Sequence, residues 1–162
     1  MTYHSPDAKG ARDFDFLHGR WRVHNRRLVR TVAGSEVWVE FAGRSIVRPV
    51  WDGDGCIEEW EADAPSGRLR AISVHLFDGI ARQWRLYWAT RESGRFGVPT
   101  VGRFSNGRGE FFDHEDIEGR AILLRLVWEP RGHDRCRFEQ AFSDDGGRTW
   151  DTNWVMEFTR EE

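Results

Sequence analysis

The sequence predicts an all-β protein: a closed or nearly closed antiparallel meander barrel of about eight to ten strands, with a short N-terminal helical turn. Three observations predict it. Apolar and polar residues alternate with period two through most of the chain, and nothing after Gly19 has a helical period. Turn-forming pairs such as Asp78-Gly79 and Asn106-Gly107 separate the alternating runs at intervals of about 8–12 residues. Nine tryptophans stand among 162 residues, and all but Trp51 fall inside the alternating runs. Each ring brings roughly 150–250 Å² of area to bury. A long meander with one greasy face hides it by closing on itself, which also removes the sheet edges.

The elements follow in order. Residues 1–12 are polar and read as a flexible arm, and 13–162 as a single barrel domain. Asp13 can cap one helical turn that Gly19 ends, tucking Phe14 and Leu17 against apolar surface. Strand runs are expected over 21–29, 36–50, 56–62, 69–77 and 83–89. Residues 100–104 and 110–114 read as a hairpin, and 121–128, 135–142 and 149–159 complete ten strands. The run 121–128 is the most apolar, interrupted by Arg125.

Composition narrows the function. A net charge of -3 and scattered arginines give no basic stripe, so no nucleic-acid partner is expected. Lys9 is the only lysine, which fits codon bias better than an anion-reading surface. No segment approaches the roughly 20 apolar residues of a membrane span, so no membrane partner is expected. The N-terminus lacks a signal-peptide core, and the expected location is cytoplasmic. Cys56 and Cys136 then read as free thiols, far apart and without a Cys-x-x-Cys pair for zinc. No metal site is expected. Asp113-His114-Glu115-Asp116 reads as a solvated loop, and Glu58, Glu59 and Glu61 as strand-surface charge. No nucleophile elbow, P-loop or dinucleotide fingerprint is present.

Phe16-Leu17-His18-Gly19-Arg20-Trp21 resembles the opening of calycins, the lipocalin and fatty-acid-binding-protein superfamily. There a Gly-x-Trp follows a short helical turn, and the resemblance implies that Trp21 plugs the closed end. Together with Phe138-Glu139-Gln140-Ala141-Phe142-Ser143 and Thr152-Asn153-Trp154-Val155-Met156-Glu157-Phe158-Thr159-Arg160, this segment resembles a group of uncharacterised bacterial calycin-like proteins. That implies a fold and brings no activity. Ser143-x-Asp145-x-Gly147-x-Thr149-Trp150 resembles the Asp box of sialidases, a hairpin device that recurs away from the catalytic site. Nitrobindin-like haem barrels share the broad fold and open with Gly-x-Trp-x-Gly-x-Gly. Here Val23 and Asn25 stand at the later glycines, and no histidine follows His133.

The cavity candidates are Trp84, Trp88, Trp128 and Trp154 as walls, with His75, Tyr87, Arg125 and Glu139 as polar groups. A buried charge needs a partner, so Arg85 or Arg125 paired with Glu139 or Glu157 is expected if that face turns inward. The alternation does not say which face does. His75 shares one with Leu69, Ala71, Ser73 and Phe77, while Ile72, Val74 and Leu76 make the more apolar alternative.

The expected function is binding of a small apolar or aromatic molecule inside the Trp-rich barrel. An isomerase- or cyclase-type enzyme using polar cavity groups is the first alternative. A ligand-free interaction module is the second, a homodimer formed through Trp38, Trp51 or Trp60. No cofactor is expected. Haem is the alternative that the nitrobindin-like resemblance implies.

Overall fold

The computed structural model describes residues 9–30 and 32–162. Ten antiparallel strands close into a barrel in simple sequence order, with β1 against β10. They are β1 (Gly19–Arg30), β2 (Glu36–Val50), β3 (Gly55–Ala64), β4 (Gly67–Asp78), β5 (Gln83–Thr90), β6 (Thr100–Ser105), β7 (Arg108–Ile117), β8 (Arg120–Pro130), β9 (Arg135–Ser143) and β10 (Asp151–Arg160). Every run expected from alternation is a strand. Among the described residues, no helix is long and apolar enough to cross a membrane.

The N-terminal turn is a single 3-10 turn, Asp15–Leu17. Phe14 precedes it and no side chain caps it, so Asp13 does not play the capping part its position suggested. Most of the expected 1–12 arm lies outside the described residues, but Ala11 is already buried.

Register fixes which side chains face inward. Across the β3–β4 pair Cys56 opposes His75, Glu58 opposes Ser73 and Trp60 opposes Ala71, so all six share the interior face. Leu86, Ser73's neighbour Trp88 and then Thr100 continue that face onto β5 and β6. Where strands crowd, glycine is required: a Cβ at Gly102 would collide with the Glu110 carbonyl.

The end bearing the 3-10 turn is sealed. Phe14 and Leu17 insert into the barrel, where Phe14 meets Trp84 and Phe104 edge-on at ring separations of 4.9 Å. Trp84 Nε1 donates to the Gly10 carbonyl at 3.0 Å, and Trp21 Nε1 to the Leu17 carbonyl at 2.8 Å. Arg160 lies over Trp21, 4.1 Å from its ring, and donates to the carbonyls of His18 and Phe16 at 2.6 and 2.9 Å. Its guanidinium fills the space that a Cβ at Gly19 would take, which gives the Gly-x-Trp motif its physical basis. The φ of Gly19, 121°, closes it to other residues as well.

The Asp-box segment is a hairpin device, as its composition suggested. Asp145 accepts bonds from the Arg148 and Thr149 amides and from the Ser143 and Thr149 hydroxyls. Led by the Thr149 bonds, these hold its carboxyl down at about 2.

Candidate functional site

Above the sealed end the barrel contains a cavity of about 430 Å³. Its walls are apolar: Leu86 and Trp88 from β5, Leu126 and Trp128 from β8, Phe138 from β9, and Trp154 and Met156 from β10. Trp88 and Trp154 pack against Trp60, with ring separations of 5.8 and 5.6 Å. Polar and charged lining comes from Glu58, Ser73, His75, Thr100 and Gln140, with Asp113, His114, Glu115 and Asp116 along the β7 side.

The cavity reaches the outside through a gap in the wall. Strands β5 and β6 share only three register pairs, ending at Leu86 opposite Thr100. Beyond them Tyr87–Thr90 and Asp113–Ile117 have no strand partner on their facing sides among the described residues. The 91–99 segment crosses the gap, tied by the Gly97 amide to the Trp88 carbonyl at 3.2 Å. Tyr87, Val98 and His114 lie at this rim.

A hydrogen-bonded chain forms the cavity floor. Ser45 Oγ donates to Glu58 Oε2 at 2.6 Å, and Ser73 Oγ donates to Glu58 Oε1 at 3.1 Å. His75 Nε2 lies 3.3 Å from Ser73 Oγ. Glu58 and His75 are each 2% exposed, and no ion pair reaches Glu58 among the described residues. Burial pushes the Glu58 carboxyl up, against the two serine bonds that favour its charged form. Burial drives His75 down to about 3, so its imidazole is neutral at ordinary pH. Cys56 and Cys136 are free and buried, with the Cys56 thiol pushed up to about 12, so neither is a nucleophile.

Several buried polar atoms have no protein partner: His75 Nδ1, Thr100 Oγ1, Trp60 Nε1 and Asn25 Nδ2 on the inner side, and Arg125 Nε on the outer side of β8. Native interiors seldom leave such atoms bare. His75 and Thr100 line the same cavity. They occupy one row of the sheet, His75 opposite Leu86 and Leu86 opposite Thr100.

The sequence-derived candidates divide. Trp88, Trp128, Trp154 and His75 face the cavity. Trp84 faces inward but belongs to the sealed end, packed on Phe14. Tyr87 points outward at the rim and meets Phe96 edge-on at 6.0 Å. Arg125 and Glu139 do not reach the cavity, because alternation turns both to the outer surface. Arg125 lies over Trp150, 4.5 Å from its ring, and Glu139 pairs with Arg137 at 2.9 Å. Arg85 pairs instead with Asp78, and Glu157 with Arg137. Trp60 is buried rather than part of an outer face. Trp38 and Trp51 are exposed but lie at opposite ends of β2.

Sequence reasoning missed Glu58, Ser45, Ser73 and Thr100. The signal for Glu58 was its parity with Trp60 and Ala62, which sets it apart from the outward Glu59 and Glu61. Among the described residues no cluster of three or more His, Cys, Asp or Glu side chains is arranged to hold a metal.

An S-type phycobiliprotein lyase from Guillardia theta has a similar structure, with a TM-score of 0.57 over 92% of this chain and 90% of that one. Only 13% of aligned residues are identical, so the likeness bears on the fold. The fold is a calycin-like barrel. No family model and no curated protein matches the sequence.

Proposed function

We propose that this calycin-like barrel binds one small aromatic or apolar molecule in the cavity above His75. One observation carries the reading: an indole-walled cavity of about 430 Å³ lies inside the barrel behind a gap in its wall. A molecule seated there contacts Trp88, Trp128 and Trp154. Removing its apolar body from water is favourable by roughly 25 cal/mol per Å², and the few polar side chains of the lining set its orientation. The gap between β5 and β7 gives it a way in. On this reading its relatives are the bacterial calycin-like proteins that share its terminal motifs.

N-phenyl-1-naphthylamine, a neutral aromatic fluorophore, tests the reading. Saturable enhancement at one molecule per barrel is expected, and Leu126→Trp, which fills the cavity, abolishes it. Native mass spectrometry of protein taken from its host reports a co-purified molecule, haem and subunit number together. No enhancement, together with a bare protein mass, overturns the reading.

A further inference from the structure

We propose that the outer face of β1–β5 carries a second binding site, a groove that takes a small amphipathic anion. Such a molecule has an apolar body and one carboxylate, sulfonate or phosphate head. The groove is separate from the interior cavity and shares no lining residue with it.

Strand register carries the inference. On the outer face Arg22 stands opposite Arg44, Arg44 opposite Glu61, and Glu61 opposite Arg70. The Arg91 amide donates to the Arg70 carbonyl at 3.0 Å, which brings Arg91 to the end of the same row. Arginines scattered along the sequence thus meet in one line across the sheet, four of them with a single glutamate. Like charges directly opposite each other cost stability, and here Arg22 adjoins Arg44 and Arg70 adjoins Arg91. Glu61 does not neutralise the line, because it is shared between Arg68 at 3.0 Å and Arg70 at 3.8 Å. Among the described residues, Arg20, Arg22, Arg44, Arg91 and Arg95 have no ion pair.

The neighbouring row supplies an apolar floor. Arg20 opposes Ile46, Ile46 opposes Glu59, Glu59 opposes Ile72, and Ile72 opposes Ala89. Glu59 pairs away from the arginine line, with Arg48 at 3.0 Å. Ile72 is 40% exposed. The segment after β5 makes the wall: the Gly94 amide donates to the Thr90 carbonyl at 3.0 Å, and Arg95 and Phe96 border the groove. Between floor and wall lie about 670 Å³, lined by Arg20, Arg44, Arg70, Arg91 and Arg95. That space suits a small molecule.

The chemistry of the lining selects the ligand. A guanidinium fork matches the oxygens of a carboxylate, sulfonate or phosphate. An oxyanion seated against the arginine line supplies the counter-charge that the line lacks. Ile46, Ile72 and Phe96 receive the apolar body. Glu59, Glu61 and Glu161 also border the groove, so a single anionic head is favoured over a long polyanion.

The probe 8-anilinonaphthalene-1-sulfonate, which is N-phenyl-1-naphthylamine with a sulfonate added, tests the site in the full chain. In Leu126→Trp, whose interior is filled, one sulfonate is expected to bind per chain and the neutral amine none. Replacing the exposed Arg44 and Arg91 together by Ala should weaken the sulfonate about tenfold or more. The same double variant should bind the neutral amine as the wild type does. Arg103→Ala removes an exposed arginine outside the groove and should change neither, which separates a site from a general attraction to charge. In the wild type, nitrogen-15 NMR locates the sulfonate, with amide shifts expected at Arg44, Ile72 and Arg91. Shifts confined to Trp88, Trp128 and Trp154, or undiminished sulfonate affinity in the double variant, overturn the outer site. Oligothymidylate that displaces the sulfonate at lower concentration than 1-naphthyl phosphate overturns the assignment to a small ligand. If the neutral amine fails to bind while the sulfonate still shifts the outer amides, the outer site stands and the interior reading falls.

Discussion

The two halves of the barrel interior differ in how completely they pair their polar groups. In the sealed half the indole N–H groups of Trp21 and Trp84 donate to backbone carbonyls, and the Arg160 guanidinium donates to three more. Above His75, bare atoms collect: Trp60 Nε1, His75 Nδ1, Thr100 Oγ1 and Asn25 Nδ2. Both halves are rich in aromatic rings, so ring content alone does not distinguish a plug from a pocket. What distinguishes them is how fully the protein completes its own hydrogen bonds: the pocket half pairs Trp154 Nε1 with Asn25 Oδ1 at 3.1 Å and both serines with Glu58, yet leaves those four atoms bare. On the binding reading proposed above, the half that completes them serves stability and the half that leaves some open receives the ligand.

Three measurements break or sharpen that contrast. The largest effect is expected at the border between the halves, from pH. His75 is held at about 3 in the folded chain, below the ordinary 6.5 of an unfolded histidine. As pH falls below 6.5, the unfolded chain takes up a proton that the folded chain refuses. Stability therefore declines, by up to roughly 5 kcal/mol near pH 3. Glu58 acts with the opposite sign. Its carboxyl is raised from 4.5, so stability is lost as pH rises from there through the folded value. Urea unfolding across this range should give a maximum between the two slopes. His75→Gln should flatten the acid side, and an acid slope unchanged by that substitution contradicts the burial account.

Next comes a pair of truncations, one in each half. Phe14→Ala empties the plug and should cost about 3–5 kcal/mol, leaving naphthylamine binding intact under native conditions. Trp88→Ala, at a half-buried wall position, should cost less and weaken binding at least about tenfold. Equal losses of stability from both variants would erase the distinction between plug and pocket.

The smallest effect is expected outside the barrel. Arg125→Ala removes a guanidinium resting on Trp150 and should cost about 1 kcal/mol. Binding should not change, because Arg125 lies on the outer surface. A loss of binding would mean that the outer surface takes part in the site.

The architecture was legible because period-two alternation and turn chemistry are local. Each strand run could be read from its own residues, and Gly19 with Trp21 marked the sealed end. The site was less legible because alternation defines two faces without saying which one is inside. On β4 the inward face, with Ser73 and His75, is the less apolar one, while Ile72 on the outward face is 40% exposed. A preference for the greasier side points the wrong way there. Glu58 was passed over for the same reason: amid Glu59 and Glu61 it looks like surface charge, and only the cross-strand register with Ser73 shows otherwise. Arg125 and Glu139 drew attention as charges in apolar runs, yet their parity turns them outward, where Trp150 and Arg137 receive them.

Closure of the sheet by β1 against β10 has a consequence for biosynthesis. Trp21 is among the first barrel residues to leave the ribosome, while its guanidinium lid, Arg160, is on the last barrel strand. Until that strand emerges, the nascent meander has two open edges and an uncovered indole. Such long-range pairing folds slowly and leaves sticky surface on show. Chains stalled before β10 should therefore be strong clients for chaperones, and those carrying it should not.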